Sequence, residues 1–199
     1  MRIDFESSIS LHRDGPGDYA SIFVASDGKM IMEESDHNDE EEHDDLEVGQ
    51  IRIVLFDADR AREAGIDLVY AADAVNGDYL AVAEEFHKIN GEELDSIFSP
   101  NILYVDHVHV DEKYRGRGLG LAAIRRAVDL FAINCRYVVI IPKPQPINGQ
   151  DNPDWKPTKA SEAKLRRYYR RAGFKNLKGT IFMVLDMDVP VKDVLLSRS

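Results

Sequence analysis

The chain has 199 residues, 44% of them hydrophobic, and a formal net charge of −11. That length buries enough surface for one domain with its own core, and a single cysteine, Cys135, excludes an internal disulfide. No apolar stretch reaches the ~20 residues of a membrane-spanning helix and residues 1–6 lack a signal-peptide pattern, so no membrane partner and a cytoplasmic location are expected.

From the N-terminus, residues 2–11 and 18–25 read as strands joined by the turn Arg13-Asp14-Gly15-Pro16-Gly17. Lys29 to Met32 extends the sheet. Residues 33–47, EESDHNDEEEHDDLE, hold ten acids and no Lys or Arg, and taking those ten from −11 leaves −1. The charge is therefore a local run on a nearly neutral domain, and such a run is expected to be a disordered, solvated hairpin loop. A docking patch for a basic partner is the alternative. His37 and His43 lie in it, but without cysteines or compact ligand spacing no metal site is expected.

Val48 to Phe56 reads as a strand with Ile51, Ile53 and Leu55 alternating against Arg52 and Val54. A helical region from Asp59 to Lys88 follows, cut by Gly65 and by Asn76-Gly77. Leu68, Ala71, Ala72, Val75, Tyr79, Val82, Ala83 and Phe86 form its core-facing stripe. Ile102 to Val110 is the next strand.

The chain then reads Tyr114-Arg115-Gly116-Arg117-Gly118-Leu119-Gly120, followed by an amphipathic helix over 119–132. A glycine turn between strand and helix leaves backbone N–H groups pointing one way. The helix N-terminus adds partial positive charge and the arginines add full charges, which makes a seat for a pyrophosphate. A dinucleotide-binding G-x-G-x-x-G does not fit, because Leu121 stands where its third glycine belongs. A Walker A loop does not fit, because no Gly-Lys-Ser/Thr follows. Residues 136–141 form a strand, with Cys135 beside it as a buried small residue. A proline-rich loop over 142–158 carries Trp155, which either covers a site or pins the loop. A helix over 159–172 stops at Gly173, with Phe174 returning to the core, and Thr180 to Met187 is the last strand.

Two of these motifs carry a family resemblance. Arg115, Gly118 and Gly120 form R-x-x-G-x-G, and Tyr168-Tyr169-Arg170-Arg171-Ala172-Gly173-Phe174 is similar to L-Y-x-x-x-G-F. Both resemble the GNAT (general N-acetyltransferase) superfamily. The resemblance rests on residues after position 100. It implies an α/β fold, a single GNAT-like domain over 1–199 with a mixed, twisted, mostly antiparallel sheet and flanking helices, and acetyl-CoA as cosubstrate. The family places its paired helices after the first strand, whereas this helical region directly precedes the 102–110 strand, so the N-terminal half is either rearranged or misread.

The resemblance also implies site residues. The cofactor would lie against Val108, His109 and Val110 through freed backbone N–H groups, and on Arg115, Gly116, Arg117, Gly118, Leu119 and Gly120. Tyr169 would protonate the departing thiolate. Asp106 is the first choice of general base and His107 the second, with regular alternation putting Tyr104, Asp106, Val108 and Val110 on one face and Val105, His107 and His109 on the other. A bulge would swap which face is presented. Tyr168, about 100° around the helix from Tyr169, is expected not to share that residue's role. The family's asparagine contact falls on Glu162, which is unwelcoming to an anionic cofactor.

The expected function is direct acetyl transfer to a primary amine in a ternary complex. A small-molecule or peptide amine is the acceptor, and the acidic run favours a cationic one through steering. A homodimer is compatible with the sequence. Lys164, Arg166, Arg167, Arg170 and Arg171 make the 159–172 helix basic, but the rest of the chain lacks a basic surplus, so no nucleic-acid partner is expected. A non-catalytic acyl-CoA-binding regulatory or partner-binding module is the alternative function.

Overall fold

The computed structural model describes residues 2–6, 22–33, 45–90, 101–144 and 156–187. The 13–17 turn, the interior of the acidic run with His37 and His43, most of the proline-rich loop and Trp155 lie outside these residues.

Seven strands form one sheet in the order β1-β2-β3-β4-β5-β7-β6. They are β1 (Arg2–Glu6), β2 (Phe23–Glu33), β3 (Asp45–Phe56), β4 (Asn101–Val110), β5 (Cys135–Ile140), β6 (Lys175–Asn176) and β7 (Met183–Asp186). Only β4 and β5 pair in parallel; the other neighbours are antiparallel. That is the mixed, mostly antiparallel sheet expected. A parallel pair needs a crossover on one face, and α4 (Leu119–Phe131) supplies it.

Three short helices, α1 (Ala58–Glu63), α2 (Leu68–Asp73) and α3 (Gly77–Asn90), stand between β3 and β4. Each start is fixed locally. Asp57, Asp67 and Asn76 accept the backbone N–H three residues on, at 2.9, 2.8 and 2.8 Å, satisfying orphan donors of the first turn. The helical region thus breaks where Gly65 and Asn76-Gly77 predicted. Among the described residues it stands between β3 and β4, where the sequence reading placed it. Ala71, Ala72, Tyr79, Val82, Ala83 and Phe86 are buried as the stripe required, but Val75 is 46% exposed, because α2 has already ended at Asp73.

The sheet has a core on each face. On one, Ile51, Ile53, Leu103 and Val105 pack with Leu121, Ile124 and Ala127 of α4 and with Tyr169 and Phe174. On the other, Val54, Phe56, Ile102 and Tyr104 pack with Ala71, Val82 and Phe86 of α2 and α3. Alternation from Ile51 to Phe56 assigns these residues to the two layers, while a bulge at Val48 returns Leu46 and Val48 to the α4 layer. Cys135 is buried, and burial pushes its thiol up to about 12, as suits an inert core residue.

Three boundaries differ from the sequence reading. β2 runs unbroken through Asp27-Gly28, because Gly28 is paired on both sides, to Phe5 and to Ile51. A short β6 was not foreseen; two exposed polar residues carry no strand pattern. β7 is shorter than Thr180–Met187, since Leu177, Thr180 and Phe182 instead close a turn through hydrogen bonds of 3.1 and 3.2 Å.

The acidic run also needs a boundary correction. Glu33 pairs with Asp45 and Met32 with Leu46, so both ends of the run belong to strands and only 34–44 connects them. Loop entropy varies slowly with length. Replacing residues 34–44 by Asn-Gly, which closes a two-residue hairpin, is expected to leave the melting temperature within a few degrees of the parent. A collapse of the melting temperature would show that the run packs or binds on the fold.

Candidate active site

β4 is the strand that builds the site. Its ladder to β3 runs to Gly49–Val110, but its ladder to β5 ends at Val105–Ile140. From His107 to Val110 the strand is paired on one side only among the described residues, and a groove opens on the other. The groove measures about 440 Å³. It is walled by Val108, His109 and Val110, by Lys143 and Pro144 beyond β5, and by Ser161, Lys164 and Leu165 of helix α5 (Lys159–Arg170).

One end of the groove is the glycine turn. Arg115 Nε donates to the Val110 carbonyl at 2.8 Å, folding the turn back onto the end of β4. Gly118 caps α4 with φ +82°, a left-handed conformation that costs other residues. A Cβ on Gly120 would stand 3.2 Å from Tyr168 Oη and 3.4 Å from Val108 Cγ1, a tight fit that would push the Tyr168 ring back by a few tenths of an ångström. The first intrahelical bond is Ala122 N–H to Gly118 O at 3.1 Å. The N–H groups of Leu119 and Gly120, at the first two helical positions, have no intrahelical acceptor and carry the positive end of the helix dipole.

At the other wall lies Tyr169, 7% exposed. Burial, with Tyr168 beside it, holds its pKa well above the ordinary tyrosine value, so the O–H is present across the working pH range. Its ring packs on Tyr168 and Phe174, with centroids at 5.7 and 6.2 Å. Its hydroxyl makes no hydrogen bond among the described residues. A phenol this buried usually has a partner, and the groove is where one can arrive.

Of the residues predicted to hold cofactor, Val108, His109, Val110, Arg115, Gly116, Gly118, Leu119 and Gly120 line the groove, and Tyr169 lines it with them. Arg117 does not; its guanidinium lies 5.3 Å from the Tyr114 ring centroid. Glu162 is also away from the groove, whose wall is formed by its neighbours Ser161 and Lys164, which removes the objection to a carboxylate there.

Tyr168 adds to the wall without having been singled out for it. Although 100° from Tyr169 on an ideal helix, it lines the same groove, because α5 lies along the groove and presents both rings to it. The Leu121 N–H donates to Tyr168 Oη at 3.0 Å. No sequence pattern signalled this contact across 47 positions. Tyr168→Phe is expected to cost about 0.5–1.5 kcal/mol of stability, the usual net value of such a bond, in a denaturant titration.

The faces of β4 also differ from expectation. The register passes from Arg52–His107 to Ile53–Val105, leaving Asp106 as the extra residue of a β-bulge. Tyr104 faces α3, and Val105 faces α4. Beyond the bulge Val108 and Val110 turn to the α4 side, while His107 and His109 turn to the side of Arg52. The proposed bases therefore do not line the groove. Asp106 and His107 sit on the opposite face, at the point where the β4–β5 ladder stops. Burial raises the Asp106 pKa, with Arg52 opposing and Asp78 adding to the rise. Burial lowers that of His107, with His109 adding to the fall. The His107 and His109 rings are parallel within 6°, with centroids 6.2 Å apart.

A groove with a glycine turn and helix N-terminus at one end, a strand paired on one side only along its wall and a buried phenol beyond suits a long phosphorylated cofactor. Residues 30–145, more than half of the chain, match the model of the Acetyltransferase (GNAT) family, and the chain belongs to that family. No curated protein matches it. Among solved structures it is similar to Arabidopsis thaliana NAA60 in complex with acetyl-CoA, at 16% identity over 94% of this chain and 100% of that one, with a TM-score of 0.41. It is also similar to the NatC complex bound to Gag peptide and CoA, at 10% identity over 94% and 99%, with a TM-score of 0.39. A third is the Drosophila melanogaster polyamine N acetyltransferase, at 12% identity over 94% and 100%, with a TM-score of 0.37. Acetyl-CoA is the cosubstrate of the family, and the seat, the one-sided strand and the unpartnered phenol fit its diphosphate, its pantetheine amides and its sulfur.

Proposed function

We propose that this protein is an N-acetyltransferase that passes the acetyl group of acetyl-CoA directly to a primary amine. The observation that carries the reading is the buried, unpartnered Tyr169 hydroxyl on a groove whose other wall is the one-sided stretch of β4. The backbone N–H groups of 106–110 that do not serve the β3 ladder bind pantetheine and orient the thioester. The N–H groups at the start of α4, with Arg115, take the diphosphate.

The acceptor arrives from the opposite face, through the opening where β4 and β5 part. Its amine must be neutral to attack. Asp106, whose desolvated carboxyl is more basic than usual, takes the proton directly or through one water. The N–C bond then forms and the C–S bond breaks. Tyr169 gives its proton to the leaving sulfur and regains one from solvent. A thiolate in the same desolvated groove is itself more basic than in water, which matches it to the weakly acidic phenol.

The acceptor class is a small-molecule or peptide amine. The test is thiol release from acetyl-CoA over a panel of polyamines, amino acids, lysine peptides and free peptide N-termini. At least one is expected to give turnover, with Asp106→Asn lowering kcat by about 10²-fold or more. Tight acetyl-CoA binding with no release on any amine would favour the non-catalytic module.

A further inference from the structure

We propose that Arg52 is a positioning residue, which clamps the bulged Asp106 carboxylate and keeps it charged and aimed at the incoming amine. The inference rests on Asp106 being the base. Its starting point is the register: Asp27, Arg52 and His107 lie side by side across β2, β3 and β4. The bulge then brings Asp106 to Arg52 as well. Arg52 Nε lies 3.5 Å from Asp106 Oδ2, and its Nη1 lies 3.6 Å from Asp27 Oδ2. One guanidinium is thus held between two carboxylates, and Asp27 fixes it from the far side.

A bulged residue is left out of the regular ladder, so its side-chain direction must be set by something else. Here the Arg52 guanidinium, together with the hydrogen bond with Tyr104, sets it. The groups around Asp106 are Asp27 of β2, Arg52 of β3, Asp78 and Tyr79 of α3, and Tyr104 and His107 of β4. Burial and Asp78 favour the neutral acid, while Arg52, then His107 and a hydrogen bond with Tyr104, favour the charged one. His107 is held toward its neutral form by its own burial, which leaves Arg52 as the cation of the group. Without it the desolvated carboxyl beside Asp78 would hold its proton to higher pH, and the base form would be lost over a wider acidic range. Both partners are partly exposed, with side chains 46% and 28% accessible, so the pair contributes little to stability. Its consequence lies in the charge and direction of Asp106.

Carboxyl NMR titration tests this without any acceptor, with the Asp106 signal assigned by its loss in Asp106→Asn. Arg52→Gln is expected to raise the Asp106 midpoint by about one pH unit, the usual reach of an adjacent charge, and Arg52→Lys to restore most of it. With an active amine from the panel, the acidic limb of kcat/KM should move up by the same amount, while acetyl-CoA affinity and melting temperature stay near those of the parent. An unmoved midpoint in Arg52→Gln overturns the role of Arg52 even if Asp106→Asn is inactive. Full kcat in Asp106→Asn overturns the base assignment, and the positioning role with it, whatever Arg52→Gln does.

Discussion

Tyr169→Phe is expected to lower kcat by about 10²-fold or more, the usual contribution of a positioned proton donor. The substitution removes one hydroxyl and keeps the ring that packs on Tyr168 and Phe174. The hydroxyl makes no hydrogen bond among the described residues, so its loss strands no partner there, and stability should hold. Acetyl-CoA affinity should change little, because the diphosphate is held at the far end of the groove. Steady-state kinetics with an active amine, beside calorimetry with acetyl-CoA, read the two effects separately. Retention of full kcat would make Tyr169 a packing residue and leave the leaving thiolate to solvent.

Gly118→Asp is expected to weaken acetyl-CoA binding by at least 10²-fold, which corresponds to about 2.7 kcal/mol. Two effects act together. The residue has φ +82°, a region that penalises a side chain. The new carboxylate would also stand at the N-terminus of α4, where the diphosphate needs positive potential. Gly118→Asn separates them, since asparagine tolerates the left-handed region and carries no charge. It should bind far better than the Asp variant in calorimetry. Equal affinity of parent and Gly118→Asp would remove the glycine turn from the site.

Much of the site was legible in the sequence because its signals are local. Arg115, Gly118 and Gly120 are fixed by the needs of one turn, and the Tyr169-to-Phe174 stretch by the end of one helix. The helix breaks at Gly65 and Asn76 follow from caps within three residues. The periodicity of β3 assigned its two faces, because alternation is a property of a regular strand.

What the sequence could not decide is whatever depends on a neighbouring element. Whether Asp106 shares a face with Val108 depends on the register of β4 against β3, and one bulged residue inverts the answer. Where Tyr168 points depends on how α5 lies across the start of α4. Arg52 gave no functional signal, because its meaning comes from Asp27 and Asp106 on the strands at either side. The sequence by itself pointed to the family, and to the glycine turn and the phenol that line the groove. The tertiary structure decided that the two candidate bases face away from the groove, and it did so because strand pairing, not local preference, sets on which side of a sheet a bulged residue stands.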